Sequence, residues 1–272
     1  MLTRTIAATA LLLLPLAACD PGNASGTEYR MAVDESVALG QADVAQQDIV
    51  EISTSFTLGD AAQTARANIE AFIKSQAACA VVTPTGDRGL TIDFGDLADD
   101  CTYKGRTYGG VITIEVDVAA DTTVVHHTAA AFTNGTVTLD GTADVTWTAD
   151  SRRVVSDLRF DREGRETDVQ GDRTQRLLDQ AAGLAGGITV DGARTWQNDK
   201  GDFSLMIDGV ELRPADPVPQ AGTYQLTVPS GDEVTLSFTR VDDDTIEVRI
   251  AGGRRDRVFH VTRAGAVDEQ DA

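Results

Sequence analysis

Three cysteines and three histidines are the side chains of this 272-residue chain best suited to hold a metal or attack a substrate. His126 and His127 are adjacent. Neighbouring side chains on a strand point to opposite faces, so the two cannot chelate one ion together. His260 is remote from both, and ordinary hydrogen-bonded histidines are expected at all three positions. Neither Cys79 nor Cys101 has a Cys or His at the short spacing a zinc site uses. The chain carries no Gly-x-Ser-x-Gly elbow, no His-Glu-x-x-His and no phosphate-binding glycine loop. Its 43 Asp and Glu make a carboxylate pair for acid/base work easy to imagine, but spacing in sequence says nothing of separation in space. Asp96, Asp99 and Asp100 form one acidic cluster and Asp242, Asp243 and Asp244 another. Calcium uses oxygen ligands of this kind, yet neither cluster has EF-hand or nonapeptide spacing, so solvated loop charge is expected. The reading is of a non-enzyme with no catalytic residue, metal or cofactor.

Cys19 carries different chemistry. Arg4 supplies a positive n-region, Ile6 to Leu14 is apolar, Pro15 breaks the run, and Leu16-Ala17-Ala18-Cys19 follows. This resembles a bacterial lipoprotein signal, in which the Cys thiol receives a diacylglycerol and the chain is cut before it. The resemblance implies removal of residues 1–18 and two or three acyl chains on Cys19. Two chains suffice for stable attachment, at about 0.8 kcal/mol per buried methylene. The apolar run is shorter than the roughly 20 residues that cross a bilayer, and no later segment approaches that length. The formal charge is −20, and loss of Arg4 takes it to about −21, so an anionic lipid surface repels the polypeptide itself. The same acidity argues against nucleic acid as a partner; the arginines between 152 and 176 are interleaved with Asp and Glu. Asp20 is an inner-membrane retention signal in some Gram-negative lineages and not in others, which leaves inner and outer membrane open.

With Cys19 assigned to lipid, Cys79 and Cys101 remain as an even pair in an oxidising compartment, and a disulfide between them is expected. A bridge closing a loop of that length stabilises by about 3 kcal/mol in the chain-entropy model.

The elements that position these residues change character along the chain. Residues 19–33 are rich in Gly, Asn, Ser and Pro after the lipidated Cys and read as a lipidated N-terminus and flexible tether. Residues 34–212 read as a helical hairpin followed by an antiparallel β body. Ala45, Ile49, Ile52 and Phe56 share one helical face; Asp60 with Gln63 makes a capping box before Ala62, Ala65, Ile69, Phe72 and Ile73. From Cys79 the period becomes two. Ile112, Ile114, Val116 and Val118 alternate with polar residues, then Val124, His126, Thr128, Ala130 and Phe132, with Asn134-Gly135 as a hairpin turn. Further strands centre on 145–147, 158–160 and 203–207. Thr174 to Leu184 reads as a short helix ended by Gly186-Gly187. Val137-Thr-Leu-Asp-Gly leading to Thr146-Trp147 is echoed by Ile188-Thr-Val-Asp-Gly leading to Thr195-Trp196, which suggests a duplicated hairpin unit. Residues 213–222 form a Pro-rich connection, 223–263 a C-terminal β meander, and 264–272 an acidic tail. The expected class is mainly β (α+β): a large twisted antiparallel sheet or sandwich packed on an N-terminal helical hairpin.

Leu90-Thr-Ile-Asp-Phe-Gly95 followed by Cys101-Thr-Tyr-Lys-Gly-Arg-Thr-Tyr-Gly-Gly-Val111 resembles uncharacterised secreted bacterial lipoproteins, in which a strand ending Asp-Phe/Tyr-Gly precedes a Cys, a Gly-Arg-Thr turn and a Gly-led strand. The likeness implies β structure and export and brings no catalytic residues. The functional expectation is an envelope lipoprotein, held to the membrane through Cys19, whose β-rich domain has a binding or structural role. The alternative is a carrier of a lipid or other apolar ligand in the concave face of an open sheet.

Overall fold

Period-two stretches rich in Val, Ile and Thr dominate the chain after Cys79, and they fold as one antiparallel sheet of fifteen strands. The computed structural model describes Thr27, Met31, Glu35, residues 45–51 and residues 65–270 apart from 104, 119–121, 149–150, 214–215 and 253–254. Residues 45–51 are helical (α1) and are followed by α2 (Ala65–Gln76). The first strands are β1 (Val81–Thr85), β2 (Gly89–Asp93), β3 (Cys101–Tyr103), β4 (Arg106–Val118), β5 (Thr123–Thr133) and β6 (Thr138–Trp147). Next come β7 (Ser151–Arg162), β8 (Arg165–Leu177), β9 (Ile188–Asn198) and β10 (Gly201–Leu212). The last five are β11 (Ala221–Thr227), β12 (Glu233–Arg240), β13 (Thr245–Ala251), β14 (Arg257–Thr262) and β15 (Val267–Gln270). Each strand pairs with the next in the chain, except that β3 is a side branch on β4 and β2 pairs with β4 directly. The ladder does not break at the Pro-rich connection, because β11 pairs with β10.

One face of the sheet is buried. In β7, Arg152, Val154, Ser156, Leu158 and Phe160 alternate with exposed residues. Ile69 and Ile73 of α2 and Ala45, Ile49 and Val50 of α1 join the same core as Ile92, Ile112, Ile114 and Leu139. An aromatic group anchors that end: Phe132 stacks on Tyr108 at 5.4 Å and meets the Phe94 ring edge-on at 5.7 Å. Burying side chains of this size stabilises by about 1.5–3 kcal/mol each.

The duplicated Asp-Gly unit is a device for bending the sheet. Asp140 on β6 accepts the Ala131 N–H at 2.8 Å, and Asp191 on β9 accepts the Gly209 N–H at the same distance. Ala131 and Gly209 both have positive φ and both lie where a neighbouring ladder slips register. The partner glycines press on the other neighbour. A Cβ on Gly141 would fall 2.3 Å from the Asp157 carbonyl oxygen, and one on Gly192 2.2 Å from that of Asp172. Only glycine fits either place.

Three expectations are corrected. The helical hairpin is not supported: among the described residues the helical runs are 45–51 and Ala65–Gln76, both packed on the sheet, and the turn expected at Gly59-Asp60 lies outside the described residues. A twelve-residue helix such as α2 depends on tertiary packing, and the sheet supplies it through Ile69 and Ile73. Thr174 to Leu184 is not a helix. Its first residues complete β8, where Gln175 and Arg176 pair with Arg152 and Ser151, and only Gly183–Gly186 makes a 3-10 turn. In β5 the phase is opposite to the expected one: Val125, His127 and Ala129 face the core, and the bulge at Ala131 then brings Phe132 inward. Elsewhere the alternation holds, as in Ile112, Ile114 and Val116 of β4 and Ile246, Val248 and Ile250 of β13.

Candidate functional site

Cys79 and Cys101 are joined by a disulfide with their Cα atoms 5.3 Å apart, which ties the turn between α2 and β1 to the first residue of β3. Cys19 and the whole of residues 1–26 lie outside the described residues. Among the described residues, no helix is long and apolar enough to cross a membrane.

The adjacent histidines part as strand geometry requires. His126 is on the exposed face, its Nδ1 2.8 Å from an Asp144 oxygen and its Nε2 3.4 Å from Asp117. The Asp144 hydrogen bond, with Asp117 behind it, raises its pKa. His127 is buried, its Nδ1 2.9 Å from the Ala143 carbonyl oxygen, and burial pushes its pKa down to about 4. His260 stands 3.7 Å from Glu247 on the neighbouring strand. Among the described residues, no three His, Cys, Asp or Glu are grouped to hold a metal ion.

The acidic loops are occupied with backbone work. Asp96 and Asp99 form a reciprocal capping box around the 3-10 turn Leu97–Asp99, and Asp100 accepts the Thr107 hydroxyl at 2.9 Å. Asp242 accepts the Asp244 N–H at 2.8 Å, closing the β12–β13 hairpin tip, while Arg240 donates to the Asp242 and Asp243 carbonyls. Asp216 in the Pro-rich connection is buried against Arg240.

The contacts that matter most join the N-terminal segment to the sheet. Glu35, with 3% of its side chain exposed, accepts from Arg165 Nη2 at 2.6 Å, Lys200 Nζ at 2.9 Å and Asn198 Nδ2 at 2.8 Å. Burial opposes its ionisation, but the Arg165 and Lys200 hydrogen bonds overcome that and leave its pKa lowered. Asp48 on α1 accepts the Tyr108 hydroxyl at 2.6 Å and Arg106 Nη1 at 3.1 Å. Burial and the Asp48 carboxylate hold the Tyr108 proton in place by raising its pKa. One turn on, Glu51 accepts from Arg152 Nη2 at 2.6 Å, and Arg152 Nε donates to Gln175 at 2.6 Å. Arg152 is fully buried. Three carboxylates of the segment thus reach β4, β7 and β8–β9, and what the arrangement does chemically is hold a chain in place.

Arg173 and Arg194 are also buried, on β8 and β9 beside Arg152 on β7. The Asp and Glu interleaved with the arginines of 152–176 suggest mixed surface charge, yet Arg152 and Arg173 are buried. A signal was there to be read: Val169-Gln-Gly-Asp-Arg173-Thr and Val190-Asp-Gly-Ala-Arg194-Thr share one pattern. At period two each Arg lies on the face of its Val, and that face is the buried one. The exposed face offers open troughs: one of about 450 Å³ bordered by Gln170, Thr195, Gln197 and Ser204, another of about 570 Å³ over Gly109, Gly110 and Ala131.

No protein-family model, no curated protein and no solved structure matches the chain.

Proposed function

We propose that this chain is a lipid-anchored bacterial envelope protein: acyl chains on Cys19 hold it to a membrane, and its fifteen-stranded body serves a binding or structural role without catalysing a reaction. The observation that carries the reading is Leu16-Ala17-Ala18-Cys19 at the end of a charged, then apolar, leader. The disulfide supports it, because such bridges persist in the oxidising compartments to which a leader directs a chain. The docking of Glu35, Asp48 and Glu51 supports it too, since a load borne at Cys19 would pass through that segment into the sheet. The secreted-lipoprotein resemblance around Asp93-Phe94-Gly95 and Gly105-Arg106-Thr107 agrees with export. The alternative, a carrier of an apolar ligand, needs the buried face of the sheet for its cargo. α1 already lies against that face through Ala45, Ile49 and Val50.

Cys19→Ala tests the reading. The variant should leave the membrane fraction after a carbonate wash, whereas the wild-type chain stays. A variant that still sediments with membranes would overturn it.

A further inference from the structure

Resting on the lipid-anchor reading, the geometry points to a fixed orientation of the body: the rim of the sheet formed by the β7–β8 turn (Glu163-Gly164) and the β9–β10 turn (Asp199-Lys200) faces the bilayer. Glu35 determines this. Its carboxylate is held by the first residue of β8, Arg165, by the last of β9, Asn198, and by Lys200 in the adjoining turn. The chain coming from Cys19 therefore joins the body at that rim. Met31 packs against the same core, so the attachment extends beyond a single contact.

The length of chain then decides which rim is near. Twelve residue steps take the chain from Cys19 to Met31, a reach of at most about 42 Å when fully extended. The thirteen residues of β8 raise the opposite rim about 40 Å above the Glu35 rim. Placing the 178–187 connection against the lipid would stretch the linker across the whole height of the sheet, at a cost in chain entropy. Attraction is not needed: the near rim mixes Arg162, Arg165 and Lys200 with Glu163 and Asp199, so attachment orients the body and charge does not. The partner of this rim is a lipid surface, and the rim with the 178–187 connection and the Asp242–Asp244 tip is left to face away.

The two ends of β8 supply the test. Glu163 and Gln180 are both exposed and lie in turns beyond its opposite ends. With Cys79 and Cys101 bridged and Cys19 acylated, Glu163→Cys or Gln180→Cys introduces one labelling site into the full-length lipidated protein. Each variant is labelled with a fluorophore and reconstituted into phosphatidylcholine vesicles bearing a headgroup quencher. The dye at 163 should be quenched at least about twofold more than the dye at 180, given the height of the sheet between them. Equal or reversed quenching in protein that floats with the vesicles overturns the orientation and leaves the anchor standing. Protein that fails to float with the vesicles overturns the anchor, and the orientation with it.

Discussion

The β4–β6 end of the sheet and strands β7–β9 bury the same face with opposite materials. β4 to β6 turn Ile112, Ile114, Val125, Phe132, Leu139 and Val145 inward, while β7 to β9 turn Arg152, Ser156, Arg173, Gln175 and Arg194 inward among their apolar neighbours. Apolar burial is non-directional and needs only volume. Buried guanidinium groups need specific acceptors, and Arg152 finds one in Glu51, about one hundred residues earlier in the chain. The comparison teaches a division of labour. One end of the sheet supplies most of the cohesion and holds Asp48 through Tyr108, and the other adds the buried Arg152–Glu51 contact that helps specify where the N-terminal segment lies. In the proposed lipid-anchored state both would matter, because a chain starting at Cys19 reaches the body through that segment.

The largest expected effect breaks the apolar end. Phe132→Ala removes a fully buried ring from its stack on Tyr108 and should destabilise by about 3–5 kcal/mol, read as a lower urea midpoint. A loss under about 1 kcal/mol would mean that this end does not supply the cohesion. The charged end should answer differently. Arg152→Met alone leaves the Glu51 carboxylate buried beside an apolar chain and should cost about 3 kcal/mol, whereas Arg152→Met with Glu51→Met should recover most of it. A double variant as unstable as the single one would contradict the specifying role.

The adjacent histidines give smaller effects of opposite sign. His127 has its pKa pushed down to about 4 against an ordinary value near 6.5, so the unfolded chain takes up a proton that the folded one refuses. Stability should fall as pH drops from about 6.5 to 4, by at most roughly 3 kcal/mol, and His127→Gln should flatten that slope. His126 has a raised pKa, so its contribution is full below the unfolded value of about 6.5 and is lost as pH rises through the folded one. With its ring 41% exposed, solvent screening limits this to under about 1 kcal/mol. Urea titrations of His126→Ala against pH should show a shallower loss on the alkaline side alone.

The Ile112–Asp117 stretch of β4 and the Ile246–Ile250 stretch of β13 were legible because inward aliphatic residues alternate there with polar outward neighbours. The end of β8 was not, because its inward residues are Arg173 and Gln175, and Leu177, Leu178 and Ala181 at helical spacing outweighed them. In β5, Val124 and Val125 are equally apolar, so alternation could not choose a phase, and the bulge at Ala131 shifts the register within the strand. The disulfide was legible by counting, once Cys19 was set aside for lipid. The docking carboxylates were not: Glu35, Asp48 and Glu51 meet partners 58 to 165 residues away, and neither periodicity nor a motif encodes pairings at that range.

The account depends above all on the chemistry at Cys19, and the intact mass of the mature protein extracted from its own membranes reads that directly. A chain beginning at Cys19, with residues 1–18 gone and the added mass of a diacylglycerol on its sulfur, is the predicted result. A chain that retains those residues, or that begins at Cys19 with a free thiol, would contradict it.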